Sequence, residues 1–181
     1  MKKRILISQI VTLALLLAAK PESWPLFWAG LALMALGQAV RLAASAAIVK
    51  SRTLTTTGPY AVVRNPLYLG TLLMTAGLLT MLSAPSRPEL TAGLWAFAAA
   101  SFGWIYYVTI KAEEVYLSSI YGKDFEAYKA AVPALCPCRP AGFFELSAYS
   151  REVFRRNKEW RGLSAAAALA LLAAARIHYG F

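Results

Sequence analysis

The chain has 181 residues, of which 59% are hydrophobic and only 15% charged, and its mean hydropathy is +0.51. This is too apolar for an ordinary soluble domain and favours a polytopic membrane protein built as one helical bundle. The formal net charge is +10, but no basic stripe is interleaved with stacking aromatic residues. That pattern argues against a nucleic-acid-binding protein.

The first two predicted elements are apolar helices that cross the membrane in opposite directions. One runs from Ile5 to Ala19 behind a basic start. Because it ends in Lys20 and offers a poor cleavage site, we interpret it as a retained helix, not a signal peptide. The other runs from Leu26 to Val49 and is long enough to span about 30 Å of hydrocarbon. It carries Gln38 and Arg41 on one face; Arg41 either faces a polar pocket inside the bundle or snorkels to the interface.

A polar, turn-rich stretch from Thr53 to Gly70 leads into the third apolar segment, which runs from Leu67 to Ala84. Gly58 and the proline behind it are a turn signal. Asn65 precedes a second proline, so it is biased away from the α region and a helix can begin at the proline. Polar side chains cluster where the chain re-enters the lipid, which predicts a site at the membrane surface. They are Tyr60, Arg64, Asn65 and Tyr68.

The fourth apolar segment, from Leu90 to Ile110, is predicted to continue as a helix past the membrane through Lys111–Leu117. This extension carries two adjacent acids, Glu113 and Glu114. Gly122 is predicted to end the helix, and a shorter helix restarts behind it.

The last part of the chain combines an irregular stretch, a basic segment and a final apolar run. Val132 to Pro140 is proline-rich, and Phe143 to Arg161 fits a basic amphipathic segment on the inner leaflet. Leu163 to Phe181 is short for a span. We therefore expect an all-α membrane bundle of about five transmembrane helices, with a cytoplasmic helical segment between the fourth and the fifth. One domain covers residues 1–181, with a core at 37–140 and a C-terminal part at 141–181.

The basic residues support this threading because Lys and Arg collect on the cytoplasmic side of membrane proteins. With the N-terminus inside, fifteen of the 19 Lys and Arg residues fall on the inner side, and Arg41 lies within a span. The outer ones are Lys20, Arg87 and Arg176. We predict a multi-pass protein of the inner or plasma membrane of a prokaryote, with the polar stretch and the two acids on the cytoplasmic face.

Cysteine and histidine usage argues against a metal site. Cys136 and Cys138 flank a single proline, where a disulfide would be strained, and they fall in a segment placed in the reducing cytoplasm. The single histidine, His178, lies near the other end of the last helix, whereas structural zinc takes four nitrogen or sulfur ligands. We expect no metal.

Two features are predicted to meet at the cytoplasmic surface, namely the bend at Asn65 and the acids Glu113 and Glu114. The third and fourth apolar segments share a short outer turn, so they should pack side by side with inner ends roughly 10 Å apart. Backbone donors at a helix start favour anionic groups, and the acids favour a cation. A zwitterionic ligand with a sulfonium or ammonium group would use both. Alternatively, Arg64 pairs with one of the acids and is structural only.

The chain resembles the isoprenylcysteine carboxyl methyltransferase family and the related membrane phospholipid methyltransferases over roughly residues 37–140. The resemblance rests on three blocks in order: LTTTGPYAVVRNPLYLG, the two adjacent glutamates, and YGKDFEAYKAAVPALCP. It implies an integral-membrane enzyme that binds S-adenosylmethionine at the cytoplasmic side. The implied cofactor pocket is lined by Leu54, Thr55, Tyr60, Asn65, Pro66, Leu67 and Tyr68, with Glu113 contacting the cofactor from the other helix.

Two positions depart from the pattern of the carboxyl methyltransferases. Asn65 stands where the family usually has histidine, so no imidazole base is available there. Thr109 stands where the family has a substrate-facing arginine, and Lys111 or Arg41 would have to replace it.

Methyl transfer from a sulfonium is an in-line displacement, in which the enzyme aligns the reacting groups and excludes water. A carboxylate acceptor needs only a cation to hold it, for which Arg64 and Lys111 are the candidates. An amine acceptor must lose a proton, for which Glu114 and Tyr68 are the candidates. We expect a lipidic or membrane-partitioned acceptor, with a phospholipid amine or a small apolar thiol as alternatives. A membrane scaffold whose basic tail binds a partner or anionic lipids is the non-enzymatic alternative.

Overall fold

A computed structural model describes residues 2–48, 53–137, 146–159 and 161–180, and within these ranges the secondary structure is helical with no strand. The all-α prediction is therefore confirmed for the described chain. A 3-10 turn at Leu146–Ala148 precedes the seventh helix. The α-helices are α1 (Lys2–Ala18), α2 (Trp24–Ala47), α3 (Pro59–Val62), α4 (Pro66–Leu82), α5 (Pro88–Tyr121), α6 (Lys123–Ala131), α7 (Arg151–Asn157) and α8 (Arg161–Tyr179). Cys138, the end of the proline-rich stretch and the start of the predicted amphipathic segment lie outside the described residues.

Helix boundaries follow local chemistry. Ser23 caps α2 because its side-chain oxygen accepts from the backbone N–H of Leu26. Asn65 is the N-cap residue of α4, and the proline behind it is the first helical residue, as predicted. Gly122 ends α5 with a φ of 51°, a conformation that glycine adopts without strain, and α6 begins at the next residue.

Three helices are long and apolar enough to cross a membrane, namely α2, α5 and the Gly162–Tyr179 part of α8. The apolar helices Leu6–Ala18 and α4 are shorter. Helix α5 has 34 residues, so it is about 50 Å long and exceeds the roughly 30 Å of hydrocarbon. The predicted continuation of this helix beyond the membrane thickness is confirmed in length.

The long helices run between two ends of the bundle. At one end, which we call the far end, the backbone N–H of Ser86 donates to the Glu22 carboxylate at 2.7 Å, and Arg176 donates to the carbonyl of Ala19 at 2.7 Å. The opposite end, which we call the site end, holds α3, the start of α4, the last turns of α5, and α6. The chain therefore returns the polar stretch and the acids to the same end.

Helices α2 and α4 approach each other most closely, through four glycines. A Cβ atom added to Gly37 would lie 2.5 Å from the carbonyl oxygen of Gly70, and one added to Gly77 would lie 2.5 Å from that of Gly30. Both distances are shorter than real Cβ contacts, so these positions require glycine. In each helix the two glycines are seven residues apart, which places them on one face of an antiparallel pair. We call this contact the glycine seam.

The core is apolar and is built from α1, α2, α4, α5 and α8, with Leu15, Met81 and Leu82 among its fully buried side chains. Large apolar side chains also cover the outside of the bundle, including Leu17, Trp28, Trp104 and Leu171. Exposed apolar surface of this extent is unfavourable in water and favourable against lipid tails. This apolar outer surface is consistent with a bundle whose longest helices are long enough to span a bilayer.

Candidate functional site

The polar stretch folds over the end of α2 through the short helix α3. Gly58, with a φ of 59°, turns the chain into this helix. Tyr60 is buried at 6% exposure, and its carbonyl accepts a hydrogen bond from the Tyr128 hydroxyl at 2.6 Å. Within the described chain, the Tyr60 hydroxyl has no hydrogen-bond partner. Burial raises the pKa of this hydroxyl, and the charges of Glu113 and Glu159 act in the same direction, so it stays protonated.

Arg64 forms an ion pair with Glu114, with a distance of 2.6 Å between Nη2 and Oε1. Each side chain is only 10% exposed. The other amino group of Arg64 donates to the carbonyls of Lys129, at 2.9 Å, and Val132. This geometry favours the structural alternative, because Arg64 joins the start of α4 to α5 and α6. It also occupies Glu114, the acid that we predicted as a base for an amine acceptor.

Glu114 is surrounded by cations. Its second oxygen, Oε2, lies 3.6 Å from Lys129 Nζ and 4.0 Å from Lys111 Nζ. Lys111 is 61% exposed and adds little to stability, since solvent screens such pairs. Lys111 therefore lies beside the Arg64–Glu114 pair, as part of an open surface.

Glu113 faces α4 and is not part of this ion pair. Its Oε1 accepts a hydrogen bond from the Tyr68 hydroxyl at 2.6 Å, and this pair is exposed. The Tyr68 ring packs against that of Tyr106, with centroids 5.1 Å apart. Successive residues of a helix point about 100° apart, which explains why the adjacent acids have different partners. The predicted proximity of the α4 start to the acids on α5 is therefore confirmed.

Asn65 holds the segment that follows α6. Its backbone N–H and its Nδ2 both donate to the carbonyl of Ala134, each at 3.1 Å, and the N–H of Arg64 donates to that of Pro133 at 2.8 Å. This contact was not predicted. The side chain assigned to the cofactor from the resemblance thus donates one hydrogen bond to a backbone carbonyl.

The remaining predicted pocket residues lie around α3. Pro66 is fully buried, and Leu67 packs against the small cluster formed by Ala44, Ala47 and Tyr60. Leu54 and Thr55 are half-buried in the irregular stretch before α3. Neither forms a hydrogen bond with the other site residues in the part of the chain that the structure describes.

A second polar group lies deeper, between α2, α4 and α8. Arg41 pairs with Glu159 at 2.6 Å and donates to the Leu67 carbonyl at 3.2 Å and to the Thr71 hydroxyl. The charge of Arg41 therefore faces the bundle interior, which decides between the two alternatives stated above. One turn away, the amide of Gln38 is buried without a hydrogen-bond partner among the described residues. Sequence reasoning missed Glu159, because its role depends on how the chain returns to α2.

An open groove of about 330 Å³ lies between α5 and α6, on the other side of α5 from Glu113. Two lysines face it, whereas its one acid is already paired with Arg64. A groove with this excess of positive charge favours an anionic group. It is lined by Lys111, Glu114, Val115, Ser118 and Lys129.

None of the described residues forms a group of three or more His, Cys, Asp or Glu side chains that could hold a metal ion. The polar atoms at the site end are instead carboxylates, hydroxyls and ammonium groups. Such a set can bind an organic ligand that carries both signs of charge.

Comparison with known proteins identifies the family. The family model described as phospholipid methyltransferase matches residues 25–124, which is more than half of the chain. The chain therefore belongs to this family, and with it to the group of membrane methyltransferases related to the isoprenylcysteine carboxyl methyltransferases. The matched residues include the whole of α3, α4 and α5, and all of α2 except its first residue, Trp24. No curated protein and no solved structure matched the chain.

Proposed function

We propose that this membrane methyltransferase uses S-adenosylmethionine and methylates a lipidic or membrane-partitioned acceptor at the cytoplasmic face, in the manner of an isoprenylcysteine carboxyl O-methyltransferase. The observation that carries the proposal is the hydrogen bond between Tyr68 and Glu113. It joins α4 and α5 at an exposed position beside the polar stretch, so a small molecule there would meet both helices.

The residues at this position fit the cofactor. The exposed Glu113 carboxylate would attract a cationic group, and the half-buried Tyr68 ring beside it offers a face for cation–π contact or stacking. The buried Tyr60 hydroxyl is close enough to Glu113 to feel its charge, and it can donate a hydrogen bond because it has no partner in the described chain. A buried polar atom without a partner is unfavourable, and a ligand that supplied one would remove that penalty. When bound, S-adenosylmethionine supplies an electrophilic methyl group on a sulfonium.

The acceptor that demands least from these residues is a carboxylate. A carboxylate is ionised at neutral pH, so its methylation needs no base. This matters because Glu114 is paired with Arg64 and is not available as a base. The groove of Lys111 and Lys129 lies on the other side of α5 from Glu113, so an anionic group held there would lie away from the cofactor position. The protein's contribution would then be to bind, orient and exclude water.

A second candidate function is N-methylation of a phospholipid amine, which the family match favours. Glu113, rather than the predicted Glu114, would be the acid within reach to accept the proton, because its carboxylate is exposed. Methylation of a small apolar thiol remains the third candidate.

The proposed topology has five spans with the site end in the cytoplasm. Helices α1 and α4 each have 17 residues and are about 25 Å long, which local thinning of the bilayer would accommodate. Among the described residues, the cations at the far end are Lys20, Arg87 and Arg176, whereas Arg64, Lys111 and Lys129 lie at the site end. This distribution supports the orientation.

Isothermal titration of the purified protein with S-adenosylmethionine, and with its demethylated product, tests the proposed cofactor. We expect saturable binding that Glu113→Gln weakens by roughly tenfold or more, and that Lys123→Gln, an exposed control at the same end, leaves unchanged. Absence of binding at millimolar ligand would overturn the proposal. A scaffold would instead fold and associate equally well with either substitution. Radiolabelled cofactor and membrane extract would then identify the acceptor by the molecule that carries the label.

A further inference from the structure

The segment of residues 146–159, which we call the strap, is fixed to the site end of α2. The backbone N–H of Ser150 donates to the carbonyl of Ala46 at 2.9 Å. Asn157 Nδ2 donates to the carbonyls of Ser45, at 2.8 Å, and Ile48, at 3.1 Å. These carbonyls belong to the last turn of α2, where a helix lacks partners of its own. The strap therefore has a fixed position at the point where α2 ends.

Helix α7 of the strap has two different faces. Val153, Phe154 and Asn157 are half-buried and share the side that contacts α2. The exposed residues occupy the opposite arc of about 140° at 100° per residue. They include Arg151, Arg155 and Arg156, with Lys158 directly behind the helix. The predicted amphipathic character is present, but the apolar side packs on α2 and is not free to insert into lipid.

The basic face of α7 is exposed and makes no ion pair with the rest of the described chain. The last carbonyls of α2 are satisfied by Asn157. Glu152 is the only acid in α7, so four cations and one acid leave a net charge of +3. Repulsion between these cations opposes the folded arrangement unless an external anion lies against them.

We propose that the basic face of α7 binds the anionic phospholipid headgroups of the bilayer in which the protein lies. Its place beside the end of a membrane-length helix puts the cations at headgroup level, and each basic side chain near an anionic surface strengthens association by roughly fivefold. The partner is a lipid surface of negative charge.

Headgroup binding to α7 would also affect the polar group around Arg41 inside the bundle, because the strap connects the two. Immediately behind α7, Glu159 pairs with Arg41, and Arg41 donates to the Leu67 carbonyl in the first turn of α4. Headgroups that hold α7 in place therefore also hold the partner of Arg41. This inference goes beyond methyl transfer and does not depend on it.

Hydrogen exchange of the α7 amides tests the proposal in nanodiscs of phosphatidylcholine alone and of phosphatidylcholine mixed with phosphatidylglycerol. We expect exchange to slow by roughly tenfold in the anionic discs, and high salt to reverse the effect. A triple variant (Arg151→Gln, Arg155→Gln, Lys158→Gln) should exchange at the same rate in both discs. The matched control removes three exposed charges elsewhere (Lys20→Gln, Arg87→Gln, Lys123→Gln) and should keep the full dependence on lipid charge.

Equal exchange of the wild-type α7 in both kinds of disc would overturn the proposal. So would an undiminished lipid effect in the triple variant, because it would place the headgroup contact elsewhere. Protection of α7 by an RNA oligonucleotide in neutral discs, without protection by anionic lipid, would also overturn it. The substituted side chains are exposed, and a melting curve of each variant verifies that it folds.

Discussion

The two adjacent glutamates of α5 are expected to have different roles, one in the stability of the fold and one in cofactor binding, and substitutions can test this. Glu114 is 10% exposed and pairs with Arg64, whereas Glu113 is exposed and accepts from Tyr68. We predict that Glu114→Gln lowers the stability of the fold. Glu113→Gln should leave stability nearly unchanged and weaken binding of the cofactor.

The magnitude follows from the surroundings of each carboxylate. Removing one partner of a buried ion pair costs about 3 to 5 kcal/mol, but glutamine still accepts one hydrogen bond from Arg64, so we expect a loss of about 2 kcal/mol for Glu114→Gln. In a chain of this length that lowers Tm by roughly 4 to 8 °C. Glu113→Gln alters an exposed pair, and its effect on stability should stay within about 0.5 kcal/mol.

Thermal unfolding in detergent, followed by near-ultraviolet circular dichroism, measures the first effect, and titration with S-adenosylmethionine measures the second. A double-mutant cycle with Arg64→Met isolates the coupling between Arg64 and Glu114, which should exceed about 1 kcal/mol. Equal destabilisation by both glutamine variants would refute the division of roles. A stable Glu114→Gln variant that has lost only cofactor binding would refute it as well.

Two further substitutions test the fold around the site. Gly37→Ala should destabilise the protein by about 3 kcal/mol or more, because the new methyl group would lie 2.5 Å from the Gly70 carbonyl oxygen. Gly103→Ala, where nothing lies within 4 Å, should be neutral or stabilise by about 1 kcal/mol; melting curves that fell equally would contradict the glycine seam. Asn157→Ala removes two hydrogen bonds to the end of α2 and should cost about 2 kcal/mol, with the exposed Arg155→Ala as a control that leaves Tm unchanged.

Local signals in the sequence predicted where the helices begin and end. They did not predict several contacts between residues that are far apart in the chain. The helix start behind Asn65 and the break at Gly122 follow from proline and glycine chemistry, which acts within a few residues. The proximity of the α4 start to Glu113 followed from the short connection between two antiparallel helices. The first two predictions depend on neighbouring residues, and the third depends on two helices that follow each other in the chain.

The contacts that the sequence did not reveal join residues far apart in the chain. Asn65 donates to Ala134, and Arg41 pairs with Glu159, across separations that no local pattern encodes. The partner of Arg64 was left open because both acids were possible. Only the rotation of α5 decides that Glu114, and not Glu113, meets the guanidinium.

The glycine seam has a consequence for how a bulky acceptor reaches the site. Where backbone touches backbone, no side chain can rotate or compress to make room, so α2 and α4 must move together as one stiff unit. Helix α5 meets α4 near the site through the rings of Tyr68 and Tyr106, which can change rotamer. A lipid chain therefore cannot enter from the bilayer between α2 and α4, whereas the contact between α4 and α5 near Tyr68 is formed by side chains that can rearrange.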